Sequence, residues 1–185
     1  MKKLALFGLM CTFCVTNLFA GNPVSVKSGD ISVLKKLSKA QFVVDYSNTK
    51  VGDQTLEEYL KGRGEDWVRD WPRDKETAAS YFKTRFNKKS KGMKIVTDVS
   101  NITHKIVIHV NVLDVGNAFG TFLPMAGAKA GGVIMTGTID VIDLEKGEVE
   151  CVLFVDEVKG KGHMFETARL GLMYDMLAKQ IWKLK

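Results

Sequence analysis

Two tryptophans four residues apart, Trp67 and Trp71, alternate with carboxylates at Asp66 and Asp70. On a helix, residues i and i+4 share a face, so the indoles fall together and the acids fall together beside them. Indole faces next to paired carboxylates suit a glycan or small-molecule site, and such a pair can also cleave a glycosidic bond. Acids in the first turn of a helix serve equally well to offset its dipole. Asp66, Trp67, Asp70 and Trp71 are therefore one candidate ligand site, with a structural reading beside it.

Other reactive residue types are scattered. His104 and His109 differ by five positions, so on one strand they face opposite sides and do not share a metal. His163 precedes the last helical segment and is placed to contact its N-terminus. Gly127-Ala128-Lys129-Ala130-Gly131-Gly132 lacks the Ser or Thr of a phosphate loop and runs into a strand. Gly160-Lys161-Gly162-His163 reads as a flexible connection, with weak anion binding as the alternative. Cys151 lies in an apolar strand pattern and reads as a buried thiol. No G-x-S-x-G elbow occurs. No catalytic residue, metal site or cofactor is assigned, and the expectation is a protein that is not an enzyme.

A third feature is apolar and not catalytic. Ala118-Phe119-Gly120-Thr121-Phe122-Leu123-Pro124-Met125-Ala126 joins two strands. Connections normally run over the surface, so this one either folds onto the sheet or shows an apolar patch to a partner. Phe119, Phe122, Leu123 and Met125 are the candidate partner-binding residues.

The compartment comes from residues 1–20. Lys2 and Lys3 precede an uncharged apolar run, Leu4 to Phe19, which ends at Ala20 before Gly21-Asn22-Pro23. That is a secretory leader, too short to span a bilayer. Cys11 and Cys14 sit inside the run without small residues before them, which disfavours a lipoprotein. The expectation is an exported protein, periplasmic or associated with the outer membrane, with no transmembrane segment in the mature chain. Removing the leader takes the net charge from +6 to +4, too weak to argue for nucleic acid. Cys151 is then the single cysteine, so no internal disulfide forms.

Residues 21–185 read as one domain. Val24 to Leu34 suits an edge strand, a short helical turn, or both. Gln41 to Ser47 alternates as a strand. Thr55-Leu56-Glu57-Glu58 opens a helical region, interrupted at Gly62 and Gly64 and broken or restarted at Pro72, with a further helix from Asp74 to Lys91. Strands follow at Met93–Val99, Ile102–Leu113, Val133–Val141 and Val149–Asp156, the last two joined by a turn at Gly147. Phe165 to Leu184 forms an amphipathic helix. The order β-α-β-β-β-β-α predicts an α+β two-layer sandwich, a mostly antiparallel mixed sheet with helices on one face.

Thr103-His104-Lys105-Ile106-Val107-Ile108-His109-Val110, the glycines from Gly127 to Gly132, the Asp143-Leu144-Glu145-Lys146-Gly147-Glu148-Val149 turn and the Val43-Val44-Asp45-Tyr46-Ser47-Asn48 segment carry a resemblance. In these the chain resembles exported proteins of gut-type Bacteroidetes. More distantly it is similar to the TolB N-terminal-like and LpoB-like envelope domains. The resemblance implies a mixed sheet with helices packed on one side, and protein contacts in place of chemistry. The functional expectation is a non-enzymatic interaction module with an envelope protein partner. The alternatives are a periplasmic small-molecule or glycan binder, or a hydrolase, at the tryptophan segment, and a homo-oligomer formed through edge strands.

Overall fold

A computed structural model describes residues 21–98, 100–116 and 131–184. The elements are β1 (Val24–Gly29), a 3-10 turn (Ile31–Lys35), β2 (Lys39–Asp45), β3 (Lys50–Val51), β4 (Gln54–Thr55), α1 (Leu56–Arg63), α2 (Glu65–Lys89), β5 (Lys94–Ile95), β6 (His104–Asp114), β7 (Ile134–Asp143), β8 (Glu148–Lys159) and α3 (Glu166–Ile181). The sheet runs β1-β8-β7-β6-β2-β5, with β3 added beside β6 and β4 beside β3. β2 is parallel to both β5 and β6, and β3 is parallel to β6; the other pairs are antiparallel. This is the mixed-sheet α+β class that the element order predicts.

The alternation of each strand sets the layers. Ile106 and Ile108 of β6, Met135 and Ile139 of β7 and Leu153 and Val155 of β8 are buried. They form one core with Phe82 and Phe86 of α2 and Met173, Tyr174 and Leu177 of α3. Phe42 of β2 stacks on Phe82 with ring centroids 4.7 Å apart. Arg85 ties α2 to α3 through Asp175, 2.6 Å away. Buried Cys151 joins the same core, and burial pushes its thiol up to about 11, which makes it inert as a nucleophile near neutrality.

Thr55 caps α1 as expected: its hydroxyl accepts the Glu58 N–H at 3.2 Å, and Glu58 accepts the Thr55 N–H at 2.9 Å. Gly64, at φ 116, ends α1 and starts α2. Pro72 does not break the helix, and α2 runs unbroken from Glu65 to Lys89. The reason is packing on both sides of the proline: Trp67 and Trp71 before it and Ala78, Phe82 and Phe86 after it are all seated on the core, which outweighs one lost backbone bond. The strand expected from Met93 to Val99 shrinks to two residues, Lys94–Ile95. Met93 is buried and its N–H bonds the carbonyl of Leu34, not a strand. Gly160 is not a flexible hinge either, because a Cβ there would lie 2.7 Å from the Met173 backbone nitrogen. The glycine lets the end of β8 touch α3.

Candidate functional site

The sheet ends in β1 on one side and in β2 with β5 on the other, and the latter edge is partly uncovered. At the start of β2, the carbonyls of Ser38, just before the strand, and Ala40 accept the N–H groups of Lys94 and Val96 at 2.9 and 3.1 Å, while the Lys39 carbonyl accepts Thr103 on the opposite side at 3.1 Å. Alternation then turns the N–H and C=O of Phe42 and Val44 to the same side as Ala40, away from β6. β5 ends at Ile95, and on the side away from β6 no described strand pairs with β2 beyond Ala40. The outer side of β5 itself is closed. Asn87 of α2 accepts the Ile95 N–H at 2.8 Å and donates to its carbonyl at 2.7 Å. One edge is thus capped by a side chain and the adjoining one is left bare.

A groove of about 280 Å³ runs between that bare edge and α2, lined by Phe42, Val44, Tyr46, Pro72, Lys75, Glu76 and Ala79. Its floor is apolar and its rim carries one charge of each sign. Beneath it the Tyr46 and Tyr174 hydroxyls meet at 2.5 Å, and burial raises the pKa of both phenols above the ordinary tyrosine value. On the outer sheet face beside this edge, His109 Nδ1 lies 2.9 Å from Asp45 and Nε2 lies 3.4 Å from Asp140. The Ser47 N–H, then its hydroxyl, then His109, hold the Asp45 carboxyl at about 2.

The tryptophan segment occupies the other side of α2. A groove of about 210 Å³ is lined by Asp66, Trp67, Asp70, Asp74, Phe165, Glu166 and Thr167. The Arg63 guanidinium lies over the Trp67 ring, 3.9 Å from its centroid, so that face is covered. Trp71 meets Tyr46 edge-on at 5.3 Å. Arg69 lies 2.6 Å from Asp66 and 3.1 Å from Asp70. Buried Arg169 supports the groove from behind, donating to the carbonyls of Val115, His163 and Met164 and lying 3.6 Å from Glu166. The structure brings Asp66, Trp67 and Asp70 into that groove and seats Trp71 with Trp67 on a smaller apolar cavity toward the core, so no one wall carries all four.

Phe119, Phe122, Leu123 and Met125 lie outside the described residues. His104 and His109 face opposite sides of β6, as their spacing requires. His163 accepts the Phe165 N–H at 3.1 Å just before α3. The open β2 edge is missing from the sequence reading. Alternation at 41–47 marks a strand, but nothing in it tells which strands flank it.

No family model matches the chain, and no curated protein matches it. Among solved structures it is similar to the PelC dodecamer from Paraburkholderia phytofirmans in space group P6, with TM-score 0.45 and 13% identity over 84% of this chain and 96% of that one. A variant of the same PelC dodecamer in space group C2 gives TM-score 0.41 and 13% identity over 85% and 95%. Likeness at this level assigns neither partner nor assembly. No helix among the described residues is long and apolar enough to cross a membrane.

Proposed function

We propose that the chain is an exported, non-enzymatic interaction domain that takes up an extended segment of an envelope protein along the open edge of β2. The observation that carries this reading is the bare N–H and C=O of Phe42 and Val44 beside an apolar groove, next to a β5 edge that Asn87 closes. Strand addition uses such an edge for main-chain bonds and such a groove for alternate side chains. The basic, apolar leader of residues 1–20 supports export, and the resemblance to TolB N-terminal-like and LpoB-like domains agrees with a protein partner. The buried Cys151 thiol supports a non-catalytic role.

The occupant is a lone strand, not a second copy of the domain. Neighbouring strands lie ~4.8 Å apart, whereas packed helices need 8–10 Å. α2 stands directly behind β2, with Phe82 on Phe42, so a symmetric copy would drive its own α2 into this one. A partner peptide with apolar residues at alternate positions has no such layer behind it.

Val44→Pro tests this, because the Val44 N–H is outside the domain's own ladder and its loss spares every described bond. Ala79→Glu fills the groove without touching the backbone. Labelled extended peptides with alternating apolar residues should bind the wild type by fluorescence anisotropy and slow hydrogen exchange at Phe42 and Val44. Both variants should lose binding while keeping their melting temperature. Equal binding to Val44→Pro, no binding to the wild type, or a dimer in light scattering that Val44→Pro dissociates would reject the peptide reading.

A second reading rests on the 210 Å³ groove. There Trp67 and exposed Phe165 lie beside Asp66, Asp70, Asp74 and Glu166, each paired with an arginine, a setting for a small molecule or glycan. Tryptophan fluorescence that stays flat across polyamines, amino sugars and neutral glycans would remove it.

A further inference from the structure

A different cluster closes the far end of the sheet. His104 opens β6 and stands opposite Asp143, the last residue of β7. In β8 the register passes from Val141↔Cys151 to Ile142↔Val149, so Glu150 is an extra residue in a bulge. Bulges re-aim side chains, and this one brings the Glu150 carboxylate to His104, with Oε2 3.2 Å from Nε2. One ligand atom each from His104, Asp143 and Glu150 lies within 4.8 Å of the others, and His104 and Asp143 are buried. His109 is the instructive contrast: its two carboxylates sit on opposite ring nitrogens and do not converge on one point.

The bonding around His104 leaves room for a cation. Thr103 Oγ1 lies 2.8 Å from Nδ1 and 3.5 Å from the Lys39 carbonyl. Where Oγ1 donates to that carbonyl and accepts Nδ1–H, Nε2 presents a lone pair to a carboxylate oxygen; in the other tautomer Nε2–H donates to Glu150. Two lone pairs at 3.2 Å need a proton or a metal ion between them. The ring orientation is that of a metal-ligating histidine whose other nitrogen is fixed by a hydrogen bond.

We infer that His104 Nε2, Asp143 and Glu150 form a binding site for a divalent transition cation of the zinc type, with a fourth position open to solvent. One imidazole and two carboxylates are a donor set zinc accepts, and ligand atoms around 3.3 Å apart follow from ~2.0–2.2 Å bonds in a tetrahedron. Two carboxylates match the charge of the ion. Without it, Lys146 Nζ supplies that charge, 3.1 Å from Asp143 and 3.6 Å from Glu150, helped by Lys36, 3.5 Å from Glu150. Lys146 is 59% exposed and swings into water when the ion arrives. It is a built-in competitor, and the bound ion joins β6, β7 and β8 at one end of the sheet.

Isothermal titration of the chelator-treated full chain with zinc chloride is the test. The wild type should bind one equivalent. His104→Ala and Glu150→Gln should lose it, His109→Ala should bind as the wild type does, and Thr103→Val should bind about 10–100-fold more weakly. Lys146→Met is the decisive variant: it lies on the surface, leaves the fold intact and should bind zinc more tightly. A purely structural network gives no zinc binding in the wild type, and that result overturns the site. So does binding that survives His104→Ala, or a Lys146→Met variant no tighter than the wild type.

Discussion

The Tyr46–Tyr174 pair makes a quantitative claim about the core beneath the open edge. Each hydroxyl has the other as its single hydrogen-bond partner among the described residues, at 2.5 Å. Tyr174 has no exposed surface. Tyr174→Phe keeps the ring and its packing but leaves the Tyr46 hydroxyl unpaired, which costs about 1–3 kcal/mol; Tyr46→Phe does the same from the other side. Removing both hydroxyls leaves no orphan, so the double variant should cost no more than about either single one. The coupling is then ~1–2 kcal/mol, read as the difference between the double variant and the two singles. For a domain of this size ~2 kcal/mol corresponds to a melting shift of roughly 4–8 °C. Urea unfolding followed by fluorescence of Trp71, which packs edge-on against Tyr46, measures all four corners of the cycle. The same pair sets an alkaline limb. Both phenols have folded pKa values raised by burial, so the folded state resists their ionisation. Their stabilisation is complete below the unfolded value near 10 and is lost as pH rises above it. The double Phe variant should lose that limb. Strictly additive single costs, or an alkaline limb unchanged in the double variant, would refute the buried pair.

Two further outcomes follow from the same reasoning. Gly160→Ala places a Cβ within 2.7–2.8 Å of the Met173 backbone and should cost about 1–3 kcal/mol through overpacking, whereas Gly62→Ala, with nothing within 4 Å on α1, should gain about 0.5–1 kcal/mol; paired urea melts decide, and a loss in both would refute the distinction. Asp45, held at about 2 by the Ser47 N–H, then the Ser47 hydroxyl, then His109, contributes stability present above its unfolded value near 4 and lost as pH falls toward 2, so Asp45→Asn should flatten that part of the urea midpoint against pH.

Local features of the chain are legible in its sequence wherever one segment decides them. The period of two in Gln41–Ser47 and Ile102–Leu113, the Thr55–Glu58 cap and the stripe of α3 each depend on neighbours a few positions away. The length of β5 is different, because Met93 is drawn out of strand pairing by Leu34, some sixty residues earlier. Pro72 is misread for the same reason: helix continuity there is set by what Trp71 and Phe82 pack against. Of the candidate sites, the opposition of His104 and His109 follows from parity alone. The convergence of His104 with Asp143 and Glu150 does not, since it needs the β6–β7 register and a bulge in β8. Gly160 and Gly62 look alike as letters, and only the approach of Met173 separates them.

The open edge itself traces to how β2 enters the sheet. Inserted parallel to β6, it cannot be joined to β6 by a hairpin, so the chain must leave through α1 and α2 and return at β5. Had β5 run the length that residues 93–99 suggest, it would have covered Phe42 and Val44 and moved the free edge one strand outward. Instead the chain turns away after Val96, where Lys83 of α2 bonds the Thr97 hydroxyl and Ser100 closes back on Asp98. Asn87 seals the short strand that remains. Natural sheets spend charges, bulges and covering side chains to blunt every edge they do not use. Here the same helix that caps Ile95 leaves the next two outward-facing residues of β2 bare and borders them with an apolar groove, an arrangement that favours the arrival of a further strand at that place and no other along this edge.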